Sequence, residues 1–346
     1  MKYHIIAFFL CFFYLNLNLK AQDKGLNAIA AATPEATEAG SLIFKKGGNA
    51  VDAAVAVAFT LGVTEPAMSG IGGRTMVIIS EPNQEPIAIG GISLTPSKVD
   101  ENIEKADLDY YKQVAIPSQV KILNYIWKNY GSGNLEWKEL LQPAIQYAED
   151  GFINGIHRHH VFKIYQDRLE DSLFHNGELL VGGDIPAIGD IIKQPTLANT
   201  LKRLATHGAD DFYKGEIAKQ IAEDFKANGG WITYKDLCNF PEPKEYKALQ
   251  TNYRGYDVYS FVPPGGGWQV LQALNLFEQY DPKDLSFNSY QRMLAVLSVL
   301  NLCHNDRLDH PIKDYGNYKS EIKDKISKDY AIKLFETNKN TQKKFR

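Results

Sequence analysis

Cysteine is scarce in this chain of 346 residues, with Cys11, Cys238 and Cys303 as its only examples. That excludes a small disulfide-stapled scaffold, and no Cys/His spacing suggests a structural zinc site. A strong charge of one sign is missing too, since 38 Lys and Arg face 41 Asp and Glu for a net charge of −3. The basic footprint of a nucleic-acid-binding domain is therefore not present, and no nucleic-acid partner is expected. The sequence also lacks a Gly-x-Ser-x-Gly elbow, a His-Glu-x-x-His helix, a Walker loop and a complete Gly-x-Gly-x-x-Gly. Most familiar hydrolase and nucleotide chemistries lose their support with them. Neither an internal repeat nor a low-complexity linker breaks the chain. What remains is 44% hydrophobic and 12% aromatic content, the profile of a folded globular protein with room for two domains or one large layered α/β unit.

Long apolar runs are confined to the N-terminus. Lys2 precedes the unbroken run Ile5 to Leu15, and a polar stretch then leads to Leu19-Lys20-Ala21. This is the layout of a signal peptide over residues 1–21, cleaved after Ala21, and the run is well short of the ~20 residues that span a bilayer. The alternative is a retained anchor. On the signal reading the mature region is 22–346, secreted or periplasmic, with no stable membrane anchor. Removal takes Lys2, Lys20 and Cys11 and no acid, leaving a more acidic chain with Cys238 and Cys303. These two can form one disulfide in an oxidising compartment or remain separate buried thiols.

Periodicity places helices along the rest. From Pro34 to Lys46 the small and apolar positions Ala36, Ala39, Ile43 and Phe44 fall on one face, and Gly47-Gly48 supplies a stop. Asn49 with Asp52 predicts a near capping box for a second helix, running to about Leu61. Its residues are almost wholly small and apolar, so it must be buried. Ser69-Gly70-Ile71-Gly72-Gly73-Arg74 then reads as a glycine-rich turn feeding a strand at Met76–Ile79, with Pro86 to Ile92 as the returning arm of a hairpin. Helical patterns follow at Pro117 to Tyr130, Leu135 to Asp150, Pro195 to His207, Glu216 to Ala227, Gln269 to Gln279 and Ser289 to Leu308. Tyr253 to Phe261 has strand character. The lysine-rich stretch 311–346 is weakly patterned and is expected to be partly disordered.

Three features bear on chemistry. His157-Arg158-His159-His160 can hold a metal or form an exposed polar turn; the arginine in its midst and the lack of a spaced acid favour the turn, so neither metal nor cofactor is assigned. The glycine turns Gly70, Gly72, Gly73 and Gly265, Gly266, Gly267 each permit backbone conformations closed to other residues, and can cradle an oxyanion or merely turn a strand. No catalytic nucleophile is assigned.

The run Lys46-Gly47-Gly48-Asn49-Ala50-Val51-Asp52-Ala53-Ala54-Val55-Ala56, followed by Val63-Thr64-Glu65-Pro66 and Ser69-Gly70-Ile71-Gly72-Gly73, closely resembles the N-terminal hallmark of γ-glutamyltranspeptidases. The resemblance continues in family order through Leu141-Gln142-Pro143-Ala144, Ala148-Glu149-Asp150-Gly151-Phe152, Gln194-Pro195-Thr196-Leu197-Ala198, Gly208 to Gly215, Asn228-Gly229-Gly230, and Tyr253 to Tyr256 with Pro263-Pro264. It covers about Gly25 to Asp306. It implies an α+β fold, the αββα sandwich of N-terminal-nucleophile hydrolases, here as the large-subunit part without the strands of the small subunit. Such proteins are exported precursors that cut themselves in two. The new N-terminal threonine of the small subunit attacks a γ-glutamyl amide such as that of glutathione, its own α-amine accepting the proton, and backbone amides stabilise the oxyanion. The implied partners are that small subunit and a small γ-glutamyl or amino-acid-like substrate.

The sequence departs from the family in three places. Thr341, its last threonine, is followed by only Gln342 and four further residues, too few to present a nucleophile. Where glutathione-active relatives carry an arginine in Phe-Arg-Glu that grips the substrate α-carboxylate, alignment on Pro96 puts Ile92. Arg74 is the nearby arginine able to replace it, against a structural ion pair or a surface role. Ala115-Ile116-Pro117-Ser118 stands where Gly-x-Pro-Gly is usual, a change expected to act on a turn. The enzyme reading is thus of a γ-glutamyltransferase or hydrolase inactive as this chain alone. The alternatives are a non-catalytic remnant or binding protein, or another amide hydrolase of the same fold.

Overall fold

Residues 27–90, 93–99, 102–104, 108, 110–171, 177–314 and 317–338 are described by a computed structural model. The proposed signal segment, Ile92 and Thr341 lie outside the described residues. Helix α1 (Pro34–Lys45) starts where Thr33 Oγ1 accepts from Ala36 N at 3.2 Å and Pro34 fills the first turn. Helix α2 (Ala50–Thr64) carries the complete capping box: Asn49 Oδ1 accepts from Val51 N and Asp52 N, and Asp52 Oδ2 accepts from Asn49 N, each at 3.0 Å. Val55, Ala56, Phe59 and Val63 are fully buried. The helix runs past the predicted end at Leu61 because its buried hydroxyls are satisfied inside it, Thr60 Oγ1 donating to Ala56 O and Thr64 Oγ1 to Thr60 O.

Strands β1 (Met76–Ile79) and β2 (Ile87–Gly90) form the predicted antiparallel hairpin, pairing Met76 with Gly90 and Ile79 with Ile87. Helices α3 (Gln119–Tyr130) and α4 (Trp137–Asp150) follow, and α4 packs with α1 on α2. Next come β3 (Phe152–Ile153), α5 (Ile156–Ile164), α6 (Gln166–Glu170) and β4 (Ile191–Ile192), the two short strands pairing with each other. Helices α7 (Pro195–His207), α8 (Asp210–Lys214), α9 (Glu216–Ala227) and α10 (Tyr234–Cys238) complete this layer. Its core joins Phe59, Leu140, Leu141, Leu201, Leu204 and Phe212, with Trp137 Nε1 donating to Leu204 O at 3.2 Å.

Strand β5 (Glu245–Lys247), which hydrophobic pattern does not reveal, pairs antiparallel with β2. Chain continues into β6 (Leu249–Tyr253), which turns at Arg254-Gly255, both at positive φ, into β7 (Tyr256–Ser260). Alternation along β2 then divides the molecule into layers. Ile89 faces the core of α2, α3 and α4, whereas Ala88 faces a second cluster with Phe261, Trp268, Ile312 and Ile322. The order of the sheet is β1-β2-β5, so β1 is an edge, and among the described residues no strand covers its outer side.

The second helical layer is α11 (Gly267–Phe277), α12 (Tyr290–Asp309), α13 (Lys319–Lys325) and α14 (Lys328–Thr337). The last two lie in the weakly patterned lysine-rich stretch, so a large part of it is ordered helix. Two of its lysines act as anchors. Lys325 Nζ reaches the buried Asp306 Oδ2 at 2.9 Å, where Gln272 Nε2 donates at 2.8 Å. Asp306 Oδ1 accepts from Tyr330 at 2.5 Å and lies 3.1 Å from His310 Nδ1. Lys328 pairs with Glu278 and donates to Asn275 Oδ1 at 2.7 Å.

Candidate functional site

The first glycine segment closes as a turn in which Gly73 N donates to Gly70 O at 2.9 Å. A methyl on Gly73 would meet that carbonyl at 2.9 Å, so the close approach requires glycine there. Gly73 O accepts from Ser118 N and Gln119 N, both at 3.1 Å, and uses donors that the start of α3 leaves unpaired. Ser118 Oγ accepts in turn from Thr75 N at 3.4 Å. Ser118, one of the departures noted in the sequence, thus ties the turn to the helix. Behind this corner the buried Tyr213 hydroxyl donates to Pro117 O and accepts from Lys121 N, each at 3.1 Å; burial raises its pKa well above the ordinary phenol value.

Arg74 leaves the turn exposed, and Nη1 donates to Ser93 Oγ at 2.6 Å. Ser93 adjoins in sequence the Ile92 position aligned with the family's carboxylate-gripping arginine. Among the described residues the partner of the guanidinium is thus the residue next in sequence to that position. Sequence reading missed Ser93 as its partner, because a serine separated by a whole hairpin gives no local signal.

The second glycine segment begins after a cis Pro263–Pro264 bond. Gly265 N donates to Val262 O at 3.1 Å, and Gln269 N to Gly266 O at 3.0 Å as α11 starts. A methyl on Gly267 would lie 2.3 Å from Phe261 O and 2.5 Å from Ser260 Oγ, so α11 can leave β7 this tightly only through glycine. A methyl on Gly265 would stand 3.3 Å from Met76 Sδ. The two glycine segments, remote in sequence, therefore flank the same strand: one feeds β1 and the other abuts its first residue. Met76 and Ile78 on that edge strand are 46% and 42% exposed.

Other candidates fall elsewhere. His157 to His160 lie within α5, and the exposed-turn expectation is corrected by Arg158, which is buried. Its Nε donates to Thr64 O at 2.6 Å, Nη1 to Ile153 O and Nη2 to Glu35 Oε2 at 2.5 Å, above the Phe152 ring. Such a pairing needs the rigid spacing of a helix. His159 Nδ1 is 2.7 Å from Pro186 O, and among the described residues no three His, Cys, Asp or Glu side chains converge as metal ligands. Cys238 and Cys303 are free thiols. Burial first, then the nearby Asp306 charge, push the Cys303 thiol up to about 12, which makes it an inert packing residue.

Comparison with known proteins bears on family and fold. The family model for gamma-glutamyltranspeptidase matches residues 36–345. The chain is 33% identical over 304 residues to the glutathione hydrolase proenzyme of Escherichia coli (strain K12), covering 82% of this chain and 50% of that protein. It is 35% identical over 292 residues to the capsule biosynthesis protein CapD proenzyme of Bacillus anthracis, with the same two shares of 82% and 50%. The crystal structure of Helicobacter pylori gamma-glutamyltranspeptidase superposes with a TM-score of 0.83 at 30% identity, covering 91% of this chain and 93% of that one. The chain spans about half the length of the curated relatives it matches. Among the described residues no helix is long and apolar enough to cross a membrane.

Proposed function

Because the chain belongs to the γ-glutamyltranspeptidase family and has its N-terminal-nucleophile hydrolase fold, we propose that it forms the large-subunit part of an exported γ-glutamyltransferase or hydrolase. The complementary part, a continuation or a separate polypeptide, would supply an N-terminal threonine. Its hydroxyl attacks the γ-glutamyl carbonyl, its α-amine takes the proton, and the amine of the substrate leaves. Water or an amino acid then releases the acyl group. In this scheme Arg74 holds the substrate α-carboxylate, and the glycine turns shape the floor beneath it.

The observation that carries this reading is the hydrogen bond from Arg74 to Ser93, next in sequence to the position that normally bears the clamp, just before an edge strand flanked by both glycine turns. A second reading is favoured by Ile92 itself: without the usual arginine, the chain would be a binding protein or remnant, or serve another amide hydrolase of this fold. To decide, the native protein is purified from the cell envelope, co-purifying polypeptides are N-terminally sequenced, and γ-glutamyl anilide hydrolysis is assayed. A partner of about half the size of this chain beginning with threonine, together with turnover, is the expected result. A lone folded chain without turnover would leave the binding reading.

A further inference from the structure

Ser118 stands at the N-cap of α3, where a serine ordinarily turns its hydroxyl onto an amide of the helix's first turn. Here it makes no such bond. Its Oγ accepts instead from Thr75 N at 3.4 Å, and its own N–H joins Gln119 N in donating to Gly73 O, both at 3.1 Å. Those three bonds hold the backbone immediately before and immediately after Arg74. Ser118 is buried, so water does not stand in for its hydroxyl.

The first turn of α3 still needs an acceptor, because its amides have no partner within the helix. Tyr213 supplies one from α8. Its hydroxyl accepts from Lys121 N, the third residue of α3 and an amide that an N-cap side chain would serve, and donates to Pro117 O, each at 3.1 Å. The buried ring packs beside Phe212 and Phe240, so the hydroxyl is carried on a fixed side chain. Burial keeps the phenol protonated, as a group that donates and accepts at once must be. Tyr213 takes no part in the chemistry proposed above.

Resting on the role proposed for Arg74, we propose that Tyr213 and Ser118 are positioning residues for recognition of the substrate α-carboxylate. By capping α3 from across the fold, Tyr213 frees the Ser118 hydroxyl for Thr75, and the main chain on both sides of Arg74 is tied to the buried start of α3. Neither residue touches substrate; both act through the backbone of Arg74. Removing the tyrosine hydroxyl leaves Lys121 N without its acceptor, and Ser118 Oγ then returns to its own helix and releases Thr75.

The test compares Tyr213→Phe, which keeps the ring, with Ser118→Ala, which keeps the backbone donor, each in the native protein together with the polypeptide that completes it. Both should speed hydrogen exchange at the Thr75 amide several-fold, the tyrosine change included although its hydroxyl does not touch Thr75. Both should raise KM for a γ-glutamyl anilide roughly three- to tenfold with kcat held, and neither should affect an analogue lacking the α-carboxylate. On a Ser118→Ala background, Tyr213→Phe should add nothing to KM while it still lowers the melting temperature. A merely structural tyrosine would lower the melting temperature and leave KM and Thr75 exchange where they were. That result, or equal losses for both substrates, overturns the proposal. If Arg74→Leu raises KM and Tyr213→Phe does not, the positioning role fails and the reading of Arg74 stands. If Arg74→Leu leaves KM unchanged, or the wild-type protein shows no turnover, that reading fails and the proposal falls with it.

Discussion

Arg74 and Arg158 show how one residue type takes opposite roles according to its surroundings. Arg74 is exposed and its partner among the described residues is a neutral hydroxyl, Ser93 Oγ, so its charge is not neutralised by that contact. In the assembled enzyme Arg74→Leu should raise KM for γ-glutamyl substrates by roughly thirtyfold, the worth of a charged hydrogen bond of about 2 kcal/mol, and Ser93→Ala by several-fold. A substrate analogue lacking the α-carboxylate should lose nothing on either change; equal losses for both substrates would remove Arg74 from recognition. Arg158 is instead buried on Glu35, with side chains only 10% and 16% exposed, and it also satisfies two carbonyls. Arg158→Met removes a buried partner and should cost about 3–5 kcal/mol in urea unfolding. The double change with Glu35→Gln should recover part of that loss, because no charge is then left unpaired.

At the scale of elements, one buried carboxylate, Asp306, holds both α13 and α14, through Lys325 and Tyr330. Burial opposes ionisation of Asp306, but hydrogen bonds from Tyr330, Gln272 and Lys325 outweigh it and hold the carboxyl below its ordinary value. A carboxyl lowered by folding contributes stability above its unfolded pKa, near 4, and that contribution is lost as pH falls through the lower folded value. Unfolding midpoints in urea should therefore drop below about pH 4, and Asp306→Asn should flatten that part of the profile while lowering stability at pH 7. A wild-type acid slope in the variant would assign the effect to other carboxylates. These helices were illegible in the sequence for a physical reason. Their lysines read as solvated, whereas Lys325 and Lys328 are held by Asp306 and Asn275 on other helices and by Glu278 at the end of one. By contrast the start of α2 could be read to the residue, because Asn49 and Asp52 form a local cap and the run that follows is almost wholly small and apolar. The β1–β2 hairpin was equally plain, but β5 was not, since its Glu245 and Lys247 carry no alternation that a three-residue strand could reveal. Within the candidate site, the glycine turns were visible as sequence, and their meeting at Met76 was not, because it depends on tertiary packing alone.

On the scale of the whole molecule, two apolar layers are closed and one sheet edge is open among the described residues. Ile89 and Ala88 send their side chains to opposite helical layers, so the sheet is covered on both faces at β2. At β1 the same sheet ends without a neighbour among the described residues, and Met76 and Ile78 stand on its exposed side. An uncovered edge with apolar side chains is a template for pairing with another chain. The chain prepared alone should accordingly self-associate as its concentration rises, in a manner that sedimentation velocity can follow. Ile78→Lys places a charge on a side chain that is 42% exposed and in no hydrophobic core cluster, so the melting temperature should hardly move. Self-association should fall sharply, because a lysine on an edge strand disfavours the approach of a second edge. If β1 is where the complementary polypeptide adds its strands, the same variant should also lose the partner and turnover with it. Loss of self-association with partner binding intact would place the partner on another surface. Unchanged self-association would show that the chains meet elsewhere than along β1.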